Sequence, residues 1–529
     1  MRGALLTDLY ELTMAASYLH RRMAGLGTFS LFVRRLPPER GFLVAAGIEG
    51  CLQHLQDLSF GAEDLDYLAT QGFDDEALDA LAGLRFTGSV RAVPEGRIVF
   101  ADEPLVEVTA PIAEAQLVET FLLNQVGFAT AVASKAARCR IAAAGRMDLV
   151  EFGFRRTQGI DAGIIAARAA VMVGFSATSN VEAARRYGLR PSGTMAHSYV
   201  EAFPSEVDAF EAFAADRSGP ITFLVDTYDT HAGMDAAIQV IRARGLGGTA
   251  SVRLDSGDLA ALAVDARRML DEAGLPDVRI FASGNLDEHR VAALVAAGAP
   301  IDACGVGTSL GVCADAPALD TVYKLVAFDG RPVAKLSPSK ATYPGAKQVF
   351  RPCGGDGGET GPLDLLGLAD EPAPQGTEGL LVPVMANGRR LAPSGDPAAT
   401  LAGARARFEA DLAGLPPAAT RLERPDAPVP ALTPALRRLT DEVHERLART
   451  AAAALPAGAG SPGRAARRAT RAPDATRAGS GPVPPEGAAR AAPPEDAARA
   501  VPPRAGRASP AQRGAGHDGA ARQGSGRAR

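Results

Sequence analysis

The chain has 529 residues, of which 47% are hydrophobic and 22% charged, so it can bury a large core in two or more folded units. Residues 452–529 carry 13 arginines and 5 acidic residues, a formal charge of +8, which leaves −13 for the rest of the chain. Acidic residues inside the apolar N-terminal stretch argue against a signal peptide or membrane span, and five scattered cysteines without a CxxC pair argue against a disulfide framework or zinc site.

Residues 1–111 have the pattern of an N-terminal α+β domain. An amphipathic helix is predicted over Leu6–Tyr18, and the runs TFSLFVRRLP, GSVRAVPEGRIVF and PLVEVTAP are strand-like and separated by turn residues. Strands joined by such short turns are expected to pair in an antiparallel sheet.

Residues 112–352 follow a different rhythm. A long helical stretch over 112–144 is followed by short apolar runs, each ending in a polar or glycine-rich corner. The corners recur every 21 to 29 residues, at Gly153, Gly174, His197, Asp226, Asp255, Gly284 and Gly307. One strand and one helix per period predict an irregular parallel (β/α) barrel, although a doubly wound sheet has the same local pattern.

The last part of the chain divides into two segments. Residues 353–455 contain a strand-like run and two predicted helices, about 400–413 and 434–452, which we expect to pack on the folded core. Residues 456–529 are rich in Ala, Arg, Pro and Gly and contain no aromatic residue. This composition predicts a disordered basic tail. Without stacking aromatics we favour a solvated extension over a nucleic-acid tether.

In a parallel barrel the chemistry lies at the carboxyl ends of the strands. Nearly every predicted strand end carries a charged or hydrogen-bonding group, namely Glu151, Arg155, Arg156, Thr178, Ser179, Asn180, Thr194, His197, Asp226, Asp229, Arg253, Asp255, Asp258, Asn285, Thr308 and Ser309. One such group is weak support, since loops are polar, but the full series predicts a binding site at this edge.

Three corners carry specific chemistry. In RLDSGD, Arg253 and Asp255 are two residues apart, so both side chains are expected on one face of a strand. The arginine can bind an anion, and the carboxylate can bind a sugar hydroxyl or hydrated magnesium. In GVGTS, two glycines precede Thr308 and Ser309, a pattern suited to phosphate. EFGFRRTQG adds the guanidinium of Arg155. No GxxxxGK[ST] or HExxH motif occurs, and no GxGxxG follows a first strand, so the predicted ligand is an anionic sugar phosphate.

His197, in GTMAHSYV, has two interpretations. A lone histidine beside apolar residues is commonly a buried ring with a backbone partner, whereas a functional histidine would be a general base or nucleophile. Its place in the series of strand-end corners favours the functional interpretation.

Eight stretches together resemble the nicotinate phosphoribosyltransferase family over about residues 5–352. They are, in order, LLTDLYELTMA, EFGFRRTQG, TSNVEA, GTMAHSYV, VRLDSGDL, FASGNLDE, GVGTSL and KLVAFDGRPVAKLSPSKATYPGAKQVFR. The resemblance implies transfer of phosphoribose from phosphoribosyl pyrophosphate to nicotinate, coupled to ATP hydrolysis and dependent on Mg²⁺. It also implies a cytoplasmic homodimer, with no membrane or nucleic-acid partner, whose irregular barrel is joined to the N-terminal domain.

The resemblance also implies roles for single residues. His197 matches the histidine that ATP phosphorylates, and Arg253 and Asp255 are expected to be catalytic with it. The expected substrate contacts are Tyr10, reaching across a dimer interface, Phe152, stacking on the pyridine ring, and Arg155, Thr194, Arg253, Gly284, Thr308 and Ser309.

Two alternatives stay open at this point. Relatives that use nicotinamide tend to have an aspartate where this chain has Ser179, and a hydroxyl does not repel a substrate carboxylate, so nicotinate is favoured over nicotinamide or quinolinate. A catalytically silent nucleotide-binding sensor is the other alternative. The presence of His197, Arg253, Asp255 and Thr308 argues against it.

Overall fold

The structure is a computed structural model that describes residues 3–335, 342–353, 364–392 and 395–453. The segment 456–529, predicted above to be a basic tail, lies outside the described residues. Within the described ranges, no helix is both long enough and apolar enough to cross a membrane.

The strands fall into four sheets. In chain order they are β1 (Leu26–Val33), β2 (Leu43–Val44), β3 (Ser89–Ala92), β4 (Ile98–Val99), β5 (Pro104–Pro111), β6 (Asp148–Glu151), β7 (Ala177–Thr178), β8 (Ile221–Leu224), β9 (Ala250–Leu254), β10 (Arg279–Ala282), β11 (Ala303–Val306), β12 (Thr321–Phe328), β13 (Arg331–Pro332), β14 (Lys347–Pro352), β15 (Leu365–Leu368), β16 (Thr377–Gly379), β17 (Val382–Ala386), β18 (Arg389–Arg390) and β19 (Ala431–Leu432).

The helices cover the sheets and link them. They are α1 (Leu9–His20), α2 (Ile48–Asp57), α3 (Ala62–Thr70), α4 (Asp75–Gly83), α5 (Ile112–Leu117), α6 (Glu119–Ala143), α7 (Ile160–Met172), α8 (Val181–Tyr187), α9 (His197–Glu201), α10 (Glu206–Ala215), α11 (Thr230–Arg244), α12 (Leu259–Glu272), α13 (Glu288–Ala296), α14 (Thr308–Gly311), α15 (Pro397–Ala413) and α16 (Pro434–Ala453). A short 3₁₀ helix covers Phe154–Arg156.

The N-terminal region is built on a seven-stranded sheet with the order β13-β12-β1-β5-β3-β17-β18. All of its pairings are antiparallel, as predicted for β1, β3 and β5. Strands β12 and β17 come from far along the chain, and β1 lies between β12 and β5. One sheet therefore contains strands from 1–111, 112–352 and 353–455. The division of the chain into these segments stays a prediction.

Helix α6 connects the two hydrophobic cores. A helix is predicted over 112–144, and the structure has α5 and α6 there, separated at Val118. Leu122 and Val126 pack in the core of the N-terminal sheet, whereas Val132 and Ala136 pack in the core around the parallel sheet. The middle of α6 is buried on nearly all sides and is mostly apolar or small, and its buried Lys135 and Arg138 are paired with Glu288.

The parallel sheet has six strands in the order β7-β6-β11-β10-β9-β8. Except for β7 and β8, each strand pairs with the next along the chain, and the first strand, β6, pairs with the last, β11. A pairing of first with last strand is the closure of a barrel, and a doubly wound sheet does not have it. Among the described strands, β7 and β8 are not paired with each other, so the barrel is incomplete, in agreement with the predicted irregular barrel.

One predicted barrel period lacks its strand. The segment before His197 forms only a single bridge, between Thr178 and Pro191, and then enters α9. Its sequence, GLRPSGTMA, explains the difference, since proline cannot donate to a ladder and glycine weakens a strand. The gap in the barrel lies where this segment runs between β7 and β8.

The C-terminal region adds a four-stranded sheet with the order β16-β14-β15-β19 and two helices. The helices lie close to their predicted positions. Leu401 and Phe408 of α15 are buried in the barrel core, and Leu436 of α16 is buried in the N-terminal core. This part of the chain therefore packs on both halves of the protein.

Candidate active site

Arg253 stands at the centre of the candidate site. It lies near the carboxyl end of β9, and its side chain is 13% exposed. Its Nε donates to the Ser283 hydroxyl at 2.7 Å, and its Nη1 donates to the Thr194 hydroxyl at 2.8 Å. Its Nη2 donates to Asp255 Oδ1 at 2.7 Å. With each nitrogen engaged, the guanidinium is held in one orientation.

Asp255 links Arg253 to the neighbouring strand ends. Its Oδ1 also accepts a hydrogen bond of 2.5 Å from the Ser283 hydroxyl. Burial raises the pKa of Asp255, but hydrogen bonding from Ser283 and the charge of Arg253 outweigh burial and leave this pKa below its ordinary value. Asp255 is therefore ionised at neutral pH.

Asp226, at the end of β8, supports Asp255 from the other side. Its Oδ2 accepts from the Asp255 backbone N–H at 2.9 Å and from the Ser256 hydroxyl at 2.7 Å. Its Oδ1 is buried and has no hydrogen-bond partner among the described residues. A carboxylate oxygen in this position is available to a cationic ligand.

His197 lies on the first turn of α9, beside these carboxylates. Its Nδ1 is 3.2 Å from the Thr227 hydroxyl, and its Nε2 is 4.0 Å from Asp255 Oδ2. The side chain is 42% exposed, so the ring is not a core ring with a backbone partner. The exposed ring can react with a ligand at the barrel mouth.

Phe152 forms an aromatic surface next to Arg253. Its ring stacks on Phe281 with centroids 5.6 Å apart, and the Arg253 guanidinium carbon lies 5.8 Å from the Phe152 ring centroid. A Cβ at Gly305 would lie 2.5 Å from the Phe152 ring, so glycine at 305 leaves the space that the ring occupies. A flat aromatic ligand on Phe152 would have a cation at its edge.

Gly284 permits a close approach of two strand-end corners. Its φ is +100°, and a Cβ there would lie 1.9 Å from the backbone oxygen of Asp255. Only glycine fits this conformation and this distance. Gly284 thus allows the corner after β10 to approach Asp255, and its predicted contact with substrate stays a prediction.

Thr308 and Ser309 begin α14, directly after Gly307. Unlike a helix interior, a first turn has backbone N–H groups without intrahelical partners, and here two hydroxyls lie beside them. Arg155 lies on the 3₁₀ helix Phe154–Arg156 and is exposed. These groups lie near the Phe152 corner, and the phosphate-binding role that the sequence predicts for them stays a prediction.

Tyr10 is not part of this cluster within one chain. It lies on α1, which packs on α4 and α5 of the N-terminal region. Its side chain is 45% exposed. Burial of the hydroxyl, followed by the charges of Glu119 and Glu11, raises the Tyr10 pKa.

Three supporting residues are absent from the predicted site. The sequence does not indicate a role for Ser283, because FASGN has the pattern of a strand end with no charge. It does not indicate a role for Phe281 either, because an apolar residue in a strand is typical of a core. Thr227 could have been found, since it follows Asp226 in the polar corner VDTYDT.

The fold and the site together define a barrel enzyme that binds an aromatic anion and a phosphorylated partner.

Comparisons with known proteins agree. Residues 5–127 match the model of the nicotinate phosphoribosyltransferase (NAPRTase) N-terminal domain, and residues 147–349 match the NAPRTase family model. Nicotinate phosphoribosyltransferase pncB2 of Mycobacterium tuberculosis is 50% identical over 432 residues, covering 80% of this chain and 89% of the relative. The Bacillus subtilis nicotinate phosphoribosyltransferase is 46% identical over 365 residues, covering 66% of this chain and 73% of the relative.

The crystal structure of human nicotinic acid phosphoribosyltransferase is similar to this chain with a TM-score of 0.74 and 31% identity, covering 83% of this chain and 99% of the human one. The chain belongs to the nicotinate phosphoribosyltransferase family.

Proposed function

We propose that the protein transfers phosphoribose from phosphoribosyl pyrophosphate to the ring nitrogen of nicotinate, giving nicotinate mononucleotide and pyrophosphate. This is the reaction named for its family, and it serves NAD biosynthesis by salvage. The observation that carries the proposal is the fixed guanidinium of Arg253 beside the Phe152 ring. A pyridine ring stacked on Phe152 can direct its carboxylate to that guanidinium.

Selection of the acid over the amide follows from the charges at this place. Arg253 attracts a carboxylate, and Thr194 holds its guanidinium by accepting from Nη1 at 2.8 Å. Ser179, at the next corner, has a neutral hydroxyl where an aspartate would repel the carboxylate. Nicotinamide lacks the charge, so it would lose most of the attraction to Arg253.

The donor is proposed to bind along the corners of β6 and β11. Thr308 and Ser309 with the first turn of α14, together with Arg155, offer donors to its phosphates. Departure of pyrophosphate from C1 leaves oxocarbenium character on the ribose and negative charge on the leaving group. The carboxylate of Asp255 stabilises the former, and cationic groups stabilise the latter.

His197 is proposed to accept the γ-phosphoryl group of ATP. The ring is exposed at the barrel mouth, with Thr227 and Asp255 at its two nitrogens. A phosphorylated ring places a dianion beside the donor site, so hydrolysis of the phosphohistidine changes affinity for donor and product. ATP hydrolysis is thereby coupled to transfer.

Magnesium fits the same carboxylates. The buried, unpartnered Oδ1 of Asp226 and the Oδ2 of Asp255 are hard oxygen ligands of the kind Mg²⁺ prefers, and these two residues would hold it. When bound, Mg²⁺ neutralises charge on the pyrophosphate group.

A homodimer is proposed as the working form. Tyr10 is exposed on α1, which packs on α4 and α5 of the N-terminal region, and Leu9 beside it is 58% exposed. Contact of this face with the barrel mouth of a second copy would bring Tyr10 to the open side of the nicotinate site. We further propose a cytoplasmic location, consistent with five free cysteines.

One assay tests the proposed activity. Purified protein is given phosphoribosyl pyrophosphate and Mg²⁺ with nicotinate, nicotinamide or quinolinate, each with and without ATP. We expect mononucleotide from nicotinate, with stimulation by ATP that His197→Ala abolishes and loss of turnover on chelation of Mg²⁺. Product from nicotinamide or quinolinate alone would contradict the proposal, and absence of any product would favour a silent sensor.

A further inference from the structure

Glu151 is a fully buried carboxylate at the carboxyl end of β6, between two corners of the candidate site. It is paired in register with Thr178 of the neighbouring strand β7. Its Oε2 accepts a hydrogen bond of 2.5 Å from the Thr178 hydroxyl, and its Oε1 accepts from the backbone N–H of Gly153. One side chain thus joins the corner after β6 to the corner after β7.

Both corners carry groups that the proposed reaction needs. Gly153 directly follows Phe152, whose ring faces Arg253. Thr178 directly precedes Ser179, and the Ser179 N–H donates to the backbone oxygen of Glu151 at 2.8 Å. Strand β7 has only two residues and lies at the open edge of the barrel, so few ladder bonds fix it. Beside the backbone bonds at this edge, the Glu151 side chain adds a direct link between the corners that carry Phe152 and Ser179.

The contacts require a carboxylate rather than an amide. The Thr178 hydroxyl already accepts from the Asn180 N–H at 3.0 Å, so its proton is available to Glu151. The Gly153 N–H is also a donor. A carboxylate offers two acceptor oxygens to these two donors, whereas a glutamine has one and would turn its NH₂ group toward a donor.

Burial of this charge is costly, and its described partners are neutral. Burial raises the pKa of Glu151, and only the hydrogen bonds from Thr178 and Gly153 oppose this. A buried carboxylate without a cation is a poor source of stability, so its presence needs another reason. The position of the two corners supplies that reason.

We propose that Glu151 is a positioning residue for nicotinate, fixing Phe152 relative to Ser179 and so setting both the affinity for the pyridine ring and the choice of acid over amide. This role rests on the proposed function. In this role Glu151 does not itself contact the substrate.

The test is steady-state kinetics of the full chain carrying Glu151→Gln, Thr178→Val or both. We expect Glu151→Gln to raise KM for nicotinate on the order of tenfold, while kcat and KM for phosphoribosyl pyrophosphate change by less than about twofold. The ratio of kcat/KM for nicotinate to that for nicotinamide should fall. Thr178→Val removes the same link and, in addition, the acceptor of the Asn180 N–H, so its effect on KM should be at least as large, and the double variant should be little worse than Thr178→Val alone.

Glu182→Gln is the matched control, since Glu182 is an exposed carboxylate on α8, after the same corner, paired with Arg185 and Arg186. It should leave KM unchanged. A merely structural Glu151 would lower Tm and the active fraction with KM and the acid-to-amide ratio unaltered, and that result overturns the role. Should Glu151→Gln not fold, Thr178→Val gives the same readouts. A wild-type protein that makes no mononucleotide overturns the proposed function and this role with it, whereas normal wild-type turnover with unaltered variants overturns this role alone.

Discussion

The Arg253 guanidinium and the Asp255 carboxylate form an ion pair at the end of β9, with 2.7 Å between Nη2 and Oδ1. Arg253 is the fourth residue of β9 and Asp255 directly follows the strand, so the extended backbone keeps both side chains on one face. The pair fixes the cation that is proposed to bind the nicotinate carboxylate and keeps Asp255 ionised. The electrostatics of the site therefore depend on both partners.

Arg253→Met should lower kcat/KM for nicotinate about a hundredfold, equivalent to about 2.7 kcal/mol, because a charge-assisted pair with the substrate is lost. The loss of the neighbouring cation should also raise the Asp255 pKa, moving the acid limb of the pH–rate profile to higher pH. Kinetics from pH 5 to 9 measure both effects. Arg279→Met is the control, since Arg279 is 51% exposed at the amino end of the neighbouring strand β10 and pairs with Asp148. Similar losses in the two variants would contradict the assignment.

Gly284→Ala should reduce both activity and stability. The added Cβ would lie 1.9 Å from the Asp255 backbone oxygen at a φ of +100°, so the two corners must separate. We expect a loss of more than about 2 kcal/mol in the free energy of unfolding, measured by urea denaturation. Gly274→Ala is the matched control, with a φ of +72° and no heavy atom within 4 Å of the added Cβ. It should cost only about 1 kcal/mol and leave kcat unchanged. Equal effects would show that the approach to Asp255 is unimportant.

The sequence predicts this site well where its residues lie at strand ends. His197 is far along the chain from Arg253 and Asp255, yet the parallel topology brings their corners to one edge. The run PLVEVTAP predicts β5 to the residue, because alternating β-branched residues between prolines define both its conformation and its ends. Local sequence is sufficient in these cases.

Other features depend on tertiary packing and could not be predicted. The pairing of β1 with β12 joins strands almost 300 residues apart, and neither strand's sequence specifies its partner. Ser283 and Phe281 acquire their roles only from neighbours on other strands. Similarly, Glu151 is one polar corner residue among many until its burial and its two donors are known.

Asp315→Asn should be strongly destabilising. Asp315 forms an ion pair with Arg40, with 2.8 Å between Oδ2 and Nε, and lies 3.1 Å from Lys135 Nζ; the Arg40 side chain has no exposed surface. Removing the carboxylate leaves the buried Arg40 guanidinium without a counter-charge, whereas Lys135 keeps Glu288 at 2.7 Å; the loss of the Arg40 pair costs about 3–5 kcal/mol. Asp148→Asn is the control, because its ion pair with Arg279 is half exposed and should contribute less than about 1 kcal/mol. Urea denaturation of both variants compares them, and near-equal losses would refute the buried pair's importance.

Because Asp102 loses a proton, the free energy of unfolding should fall as pH rises through about 6. Burial raises the pKa of Asp102 from 3.8 to about 6, with Asp320 adding to the rise and Arg34 opposing it. The folded chain therefore binds this proton more tightly than the unfolded chain. Its contribution to the free energy of unfolding is complete below pH 3.8 and disappears as pH rises through about 6.

Asp102→Asn removes this titration and keeps a residue that tolerates the φ of +64° found there. The wild type should lose about 1 kcal/mol more than the variant between pH 5 and pH 8, measured by urea denaturation at each pH. Asp441→Asn, at an exposed position on α16, should behave as the wild type does. If the two variants show the same pH dependence, the proton is not held by burial at Asp102, and the decline in stability must come from another group.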